Sequence, residues 1–107
     1  MFTRVVEITS KTGKANEVAN AIHEKVLPIL KQQNGFLDEL VLTSETEPDQ
    51  VISVSLWKTR EDAERYHREQ YSRISDMLSH LLNQPPQVRT FNVYTSTTHR
   101  IAAGKAA

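Results

Sequence analysis

The sequence predicts an α+β fold of the ferredoxin-like type, with the element order βαββαβ and a four-stranded antiparallel sheet. Four short runs rich in β-branched residues alternate apolar with polar positions, as half-buried strands do. Two longer segments repeat apolar residues every three or four positions, which is typical of amphipathic helices. A strand-helix-strand pattern therefore occurs twice, and this arrangement places both helices on one face of the sheet.

The first half of the chain begins with a predicted strand over Phe2 to Thr9. After a short turn, apolar residues at helical spacing predict a helix from about residue 14 to 32. Pro28 falls inside this helix, where it removes a backbone donor, so we expect a kink near Glu24 to Pro28. Asn34-Gly35 should end the helix, because both residues tolerate the left-handed conformation.

The second half starts with a predicted antiparallel hairpin. Its strands cover Phe36 to Glu45 and Gln50 to Trp57, and Glu47-Pro48-Asp49 supplies the reversal between them. The sequence around Thr59 resembles a helix start, and a pair of prolines ends that second helix. Alternation then predicts a fourth strand over Gln87 to Thr97.

The second helix carries a stripe that contains a histidine. At about 100° per residue, one face collects Ala63, His67, Gln70, Tyr71, Ile74, Met77, Leu78 and Leu81, with Tyr66 at its edge. His67 lies near the middle of this stripe. We therefore predict that His67 faces the sheet together with the two tyrosines.

Composition and charge exclude several classes of function. Thirteen basic residues balance thirteen acidic ones in a chain of 107 residues, so no global field would attract nucleic acid or an anionic membrane. The absence of cysteine removes disulfides, thiolate nucleophiles and sulfur-ligated metals. No run approaches a membrane span or the apolar part of a signal peptide. We expect a cytoplasmic protein that binds neither nucleic acid nor membrane.

The predicted sheet has one face without a cover inside the chain. Strands two and three carry apolar residues on both faces, so the face opposite the helices is also apolar. Exposed apolar surface of this extent marks an interaction site. We therefore predict a homodimer that forms through the open sheet face.

Four side chains near the start of the second helix are candidates for chemistry. His67 could act as a general acid or base, because imidazole titrates near neutral pH. Trp57, Tyr66 and Tyr71 could line an aromatic pocket whose hydroxyls orient a phenolic or quinone-like ligand. The alternative is structural: a histidine that is hydrogen-bonded in the core, and aromatic rings that fill the space beside small residues of the third strand.

Polar residues in otherwise apolar strands form a second group of candidates. One or more of Arg4, Arg89 and Asn92 could contact an anionic group of a ligand, although solvation at a sheet edge or a salt bridge within a dimer is the commoner explanation of such residues. The four histidines lack a metal-binding spacing such as H-x-x-x-H, and no glycine-rich phosphate loop or redox-cofactor motif occurs. The sequence therefore predicts neither a metal nor a cofactor.

The run ISVSLWKTREDAERYH, residues 52–67, resembles the core signature of the antibiotic biosynthesis monooxygenase domain, a dimeric α/β-barrel family. The resemblance extends over most of residues 2 to 97, through the T-G-K turn after the first strand and the N-G-F-L entry into the second strand. It implies one domain over residues 1–98. Residues 99–107 would form a C-terminal tail that is flexible or packed on the partner subunit.

The resemblance also implies an activity. Well-studied members oxidise phenolic or quinol-type substrates with dioxygen and without metal or flavin, so the chain would be a cofactor-independent monooxygenase of a small aromatic molecule. His67 or Tyr66 would assist deprotonation, while Trp57, Tyr71, Asn92 and Arg89 would contact the substrate. Haem-degrading relatives match less well, because their three haem-site positions fall at Val6, Tyr66 and Asp76 here. The alternative is a non-catalytic, dimeric ligand-binding or stress-associated member of the family.

Overall fold

The computed structural model describes residues 1–99 and has the predicted order of elements. The elements are β1 (Phe2–Thr9), α1 (residues 15–31), β2 (Phe36–Thr43), β3 (Gln50–Trp57), α2 (residues 60–81) and β4 (Gln87–Asn92). The α+β, ferredoxin-like prediction is confirmed. Of the predicted tail, all but His99 lies outside the described residues.

The four strands form one antiparallel sheet in the order β2-β3-β1-β4. The predicted hairpin of β2 and β3 is present. β2 ends at Thr43 and not at Glu45, because the Ser44 hydroxyl accepts hydrogen bonds from the backbone N–H groups of the following turn. β4 ends at Asn92 and not at Thr97, since β1, its partner strand, begins at Phe2 opposite Asn92.

Each helix contains a π-helical turn. In α1, π-helical Ile22–Val26 separates α-helical Ala15–Ala21 from Leu27–Lys31, at the place where a kink before Pro28 is predicted. In α2, α-helical Arg60–Tyr66 is followed by π-helical His67–Tyr71, α-helical Ser72–Leu78 and a 3₁₀ turn over Ser79–Leu81. A π-helical turn carries one more residue than an α-helical turn, and such turns often occur at functional sites.

The start of α2 is fixed as the sequence predicts. The Thr59 hydroxyl accepts a hydrogen bond from the backbone N–H of Asp62 at 3.1 Å, which is the capping contact expected of a helix start. Just before β2, Gly35 has a φ of +83° and lies against the Asp62 side chain. The end of α1 and the start of α2 therefore meet at a position that only glycine occupies without strain.

The core lies between the two helices and one face of the sheet. Phe2, Ile8, Val51 and Trp57 supply the sheet side, and they pack against Val18, Ile22, Val26 and Leu30 of α1 and Ala63, Tyr66, Ile74 and Leu78 of α2. Two strand residues on the same buried face are polar, Arg4 and Ser55. The core thus contains a charged group at the centre of the sheet.

The opposite face of the sheet is open within the single chain and does not close into a barrel. Large apolar side chains lie on it, and Leu40, Leu42 and Phe91 are 52%, 45% and 43% exposed. In the described part of the chain, no helix is long and apolar enough to cross a membrane.

Candidate active site

Arg4 occupies the centre of the candidate site. It lies on β1 opposite Ser55 of β3 and Thr90 of β4, and only 3% of its surface is exposed. Its Nη2 atom lies 2.9 Å from Nδ1 of His67. A guanidinium can only donate, so Nδ1 of His67 accepts this hydrogen bond and the neutral imidazole carries its hydrogen on Nε2.

Two tyrosine rings enclose the other side of the Arg4 guanidinium. Its Cζ atom lies 5.0 Å from the centroid of the Tyr66 ring and 5.1 Å from that of Tyr71, distances at which the cation is attracted to the ring face. Burial lowers the pKa of Arg4, and the neighbouring tyrosines oppose this effect. Within residues 1–99 Arg4 forms no ion pair with a carboxylate. The site therefore holds a buried positive charge without a counterion.

One side of Arg4 faces an open cleft between α2 and the β1–β4 edge of the sheet. Its volume is about 450 Å³, within the range of small-molecule sites. The cleft is lined by Phe2, Arg4, Arg60, Ala63, Glu64, His67, Arg68, Val88 and Thr90. Arg4 and His67 form its polar floor.

The other side of Arg4 faces a much smaller chamber enclosed by the sheet and both helices. Its free volume is about 40 Å³, room for little more than a water molecule. Ile22, Val26 and Leu30 of α1 and Ile74 and Leu78 of α2 form the apolar walls, and Arg4, Glu39, Ser53, Ser55, Tyr66 and Tyr71 form the polar ones. Arg4 thus separates the cleft from the chamber.

Glu39 is the acidic group of the chamber. Ser53 donates a hydrogen bond from Oγ to Oε2 of Glu39 at 3.0 Å. Burial nevertheless raises the pKa of Glu39 to about 7, because the hydrogen bond compensates only part of the lost hydration and Asp38 adds to the rise. Glu39 can therefore exchange a proton near neutral pH.

Trp57 packs behind the chamber residue Tyr66 and has no exposed surface. Its Nε1–H donates to Oγ of Ser55 at 2.9 Å, and its ring lies 5.1 Å from the Tyr66 ring and 5.6 Å from the Phe36 ring. These contacts hold the indole firmly. Trp57 therefore supports Tyr66, and through it the position of Arg4.

The π-helical turn in α2 arranges His67 and Tyr71. Their rings stack with centroids 4.7 Å apart, and His67 is exposed toward the cleft. Loss of hydration and the adjacent Arg4 charge lower the pKa of His67. Burial raises the pKa of Tyr66 to about 12 and also raises that of Tyr71, whose buried hydroxyl has no hydrogen-bond partner. The imidazole and both phenols are thus neutral at pH 7.

The family assignment comes from sequence comparison. A profile of the antibiotic biosynthesis monooxygenase family matches residues 1–73 of this 107-residue chain. The chain belongs to the antibiotic biosynthesis monooxygenase family. No curated protein matches the chain.

Solved structures of several other proteins have the same fold. A monooxygenase from the gene ActVA-Orf6 of Streptomyces coelicolor, in complex with nanaomycin D, aligns with a TM-score of 0.76 and 16% identity over 89% of this chain and 88% of that one. A variant of SnoaB, described as a cofactor-independent oxygenase from Streptomyces nogalater, aligns with a TM-score of 0.74 and 13% identity over 92% of this chain and 97% of that one. A conserved protein from Methanosarcina mazei aligns with a TM-score of 0.70 and 19% identity over 85% of this chain and 91% of that one. At these identities the likeness concerns the fold alone.

Within this family fold, four of the six predicted site residues meet around Arg4. Tyr66 and Tyr71 line the chamber, Trp57 packs against Tyr66, and His67 lines the cleft. The prediction that His67 faces the buried interior is wrong, because the buried face of α2 passes through Tyr66 and leaves His67 exposed. The expected common cavity is instead divided by Arg4.

Arg89 and Asn92 lie away from this site. Arg89 is on the open face of the sheet, where its Nη1 atom lies 3.8 Å from Oε1 of Glu7. Asn92 is exposed at the end of β4 and lines a separate surface hollow with Met1 and Tyr94. The structure therefore brings neither residue to Arg4, which lies on the opposite face from Arg89.

Sequence reasoning missed Glu39. Strict alternation from Phe36 places Glu39 on the other face of the sheet from Phe36. A bulge between Phe36 and Asp38 shifts the alternation, so that Phe36 pairs with Trp57, Glu39 pairs with Ser55, and Phe36 and Glu39 both lie on the helix face. A two-residue period without the bulge cannot give this result. Among residues 1–99 no cluster of three or more histidine, aspartate or glutamate side chains could hold a metal ion.

Proposed function

We propose that this chain is a cofactor-independent monooxygenase that acts on a small phenolic or quinol-type aromatic molecule bound in the cleft. The observation that carries the proposal is the buried guanidinium of Arg4, which has a ring-sized cleft on one side and no ion-paired carboxylate among the described residues. A buried charge is costly without a counterion. A phenolate oxygen at the cleft floor supplies one.

Deprotonation begins with an exchange of hydrogen bonds. In the free protein Nδ1 of His67 accepts from Arg4 at 2.9 Å. The oxygen of an entering phenol accepts the hydrogen bond from Arg4 in place of His67. The phenol proton then passes to Nδ1 of His67, which no longer accepts from Arg4. The lowered pKa of His67 and its exposure favour release of the proton to water. Arg4 then stabilises the phenolate.

Oxidation needs no reductant besides the substrate. The phenolate gives one electron to dioxygen, and the substrate radical combines with superoxide at a ring carbon to form a hydroperoxide. Loss of water leaves a carbonyl. One oxygen atom enters the product, and the other leaves as water with the hydrogens of the phenol and of the oxidised carbon.

Tyr66 acts as a positioning residue in this proposal. It lies behind Arg4 and not in the cleft, and its ring contacts the guanidinium at 5.0 Å. Its pKa of about 12 keeps the hydroxyl protonated. Trp57 and Tyr71 support the same arrangement by their ring contacts with Tyr66 and His67. The relatives described as oxygenases, one of them bound to nanaomycin D, support the choice of substrate class.

Oxygen consumption tests the proposal. Purified protein is mixed with a panel of hydroxylated naphthalenes, anthrones and hydroquinones in an oxygen-electrode cell, and products are identified by mass. His67→Ala should lower the rate at least about a hundredfold, the lower end of the range for a lost acid–base group. His80→Ala changes an exposed histidine outside the cleft on the same helix and should leave the rate unchanged. Equal rates for both variants and the unaltered protein would rule out the role of His67.

One observation favours a non-catalytic ligand-binding protein instead. The chamber retains only about 40 Å³, and Phe36, Trp57 and Tyr66 fill the space beside it in a chain of ring contacts. A ligand-binding protein would show a raised thermal midpoint with phenols or quinones. It would show no oxygen uptake with any of them.

We also propose that the protein is a homodimer through the open sheet face. Leu40, Leu42 and Phe91 share that face and are about half exposed. Apolar side chains on the uncovered face of a sheet favour burial against a second sheet. Both copies present the same face, which suits a two-fold interface.

A further inference from the structure

The rim of the cleft carries more positive than negative charge. Arg60 and Arg68 of α2 line it from above, Arg4 and His67 lie beneath, and Glu64 is the one acidic residue in the lining. The whole chain has no net charge, so this excess is local. A cleft with apolar walls concentrates the field of such charges on whatever enters it.

The two rim arginines form no ion pair among residues 1–99. Arg65, on the same helix, forms an ion pair with Asp62 at 3.0 Å. Glu64 lies four residues from both Arg60 and Arg68, a spacing that permits ion pairs on a helix, yet neither pair forms. Both guanidinium groups therefore remain available to an anion in the cleft.

The walls between these charges are apolar. Phe2, Ala63 and Val88 line the cleft, and the Cζ atom of Arg60 lies 5.4 Å from the centroid of the Phe2 ring. This contact holds the Arg60 guanidinium over the apolar wall. The cleft thus offers a surface for a flat ring with cations beside it.

We infer that the substrate is a hydroxylated aromatic carboxylic acid, whose hydroxyl lies at Arg4 and His67 while its carboxylate lies farther along the cleft, in the positive field of Arg60 and Arg68. The inference rests on the proposed function for the hydroxyl end, and on the unpaired rim arginines for the carboxylate end. Arg68 directly follows His67, and Arg60 lies seven positions before His67, about 10 Å from it along the helix axis. A two-ring acid spans this distance. Arginine suits the carboxylate because its fork of N–H donors matches the two oxygen atoms.

Binding without oxygen tests this inference apart from turnover. The probes are 6-hydroxy-2-naphthoate and its methyl ester, which differ mainly in charge, titrated calorimetrically under argon. The unaltered protein should bind the acid at least about tenfold more tightly than the ester, and added salt should reduce the difference. The double variant Arg60→Gln/Arg68→Gln should lose this preference. Both side chains are exposed, so the variant should fold, which its thermal midpoint checks.

A matched control removes the same charge from the same helix. Arg65→Gln/Arg73→Gln changes two arginines that do not line the cleft, and it should keep the preference for the acid. Equal affinity for acid and ester in the unaltered protein, or an equal loss in the control, would overturn the inference. If the protein then consumed oxygen with neutral quinols but not with the acid, the proposed oxygenase function would still be supported. Selective binding of the acid without oxygen uptake would support the inference and reject the oxygenase.

Discussion

Replacement of Glu39 by glutamine tests the electrostatics of the chamber. Burial raises the pKa of Glu39 from its usual 4.5 to about 7. A carboxyl with a raised pKa in the folded protein binds its proton more tightly than in the unfolded chain. The contribution of Glu39 to stability is therefore most favourable below about pH 4.5, falls as the pH rises toward 7, and above 7 includes the full cost of the buried carboxylate.

The size of this cost follows from the two pKa values. A tenfold change in proton affinity corresponds to about 1.4 kcal/mol, so the rise to about 7 corresponds to at most about 3.5 kcal/mol. Glu39 is only partly buried, and solvent screening reduces the figure to about 1 to 2 kcal/mol. Glutamine keeps the size of the side chain and an oxygen that accepts from Ser53. Glu39→Gln should therefore match the unaltered protein at pH 4 and exceed its stability by this amount at pH 8.

Urea unfolding at several pH values between 4 and 8 measures the difference. Other titrating groups affect both proteins alike, so they cancel when the two free energies of unfolding are subtracted at each pH. Glu64→Gln removes an exposed carboxylate and should give a difference that changes little with pH. A constant difference between Glu39→Gln and the unaltered protein across this range would refute the reasoning.

Three further predictions concern stability and assembly. Gly35→Ala should lower the free energy of unfolding by at least about 2 kcal/mol, and by more than Gly13→Ala does. The angle φ is positive at both glycines, but only at Gly35 would a new Cβ collide with the Asp62 side chain. Urea unfolding of the two variants measures the difference. Tyr71→Phe should raise the thermal midpoint, since it removes a buried hydroxyl without a partner at a gain of about 1 kcal/mol; a lower midpoint would contradict this account. Leu40→Glu should convert the proposed dimer into monomer in sedimentation, and an unchanged mass would place the interface elsewhere.

Element order and the hairpin of β2 and β3 followed from the sequence because they depend on periodicity and turn residues alone. The sequence predicted less well which residues of α2 face the core. Tyr66 and Ile74 are both buried although they are eight residues apart, nearly one residue more than two α-helical turns. The π-helical turn His67–Tyr71 accommodates the extra residue, and the buried face passes through Tyr66 while His67 is exposed. A fixed rotation of 100° per residue cannot show this.

The position of Arg4 could be predicted in part. Alternation placed it on the same strand face as Phe2 and Ile8, which are buried. Its place between the cleft and the chamber depends on the Tyr66 and Tyr71 rings, which contact the guanidinium. These contacts join residues more than 60 positions apart in the chain. Contacts of this kind depend on tertiary packing, which no local pattern encodes.

The volumes of the two cavities beside Arg4 restrict the proposed substrate to one side of it. A naphthalene-sized ring has room in the cleft of about 450 Å³ and none in the chamber of about 40 Å³. Merging them would require the guanidinium to leave both tyrosine rings and the His67 imidazole, contacts that each oppose the move. In the proposed reaction the hydroxyl therefore meets Arg4 from the cleft, on the side where His67 is exposed and where Arg60 and Arg68 form no ion pair with a described residue.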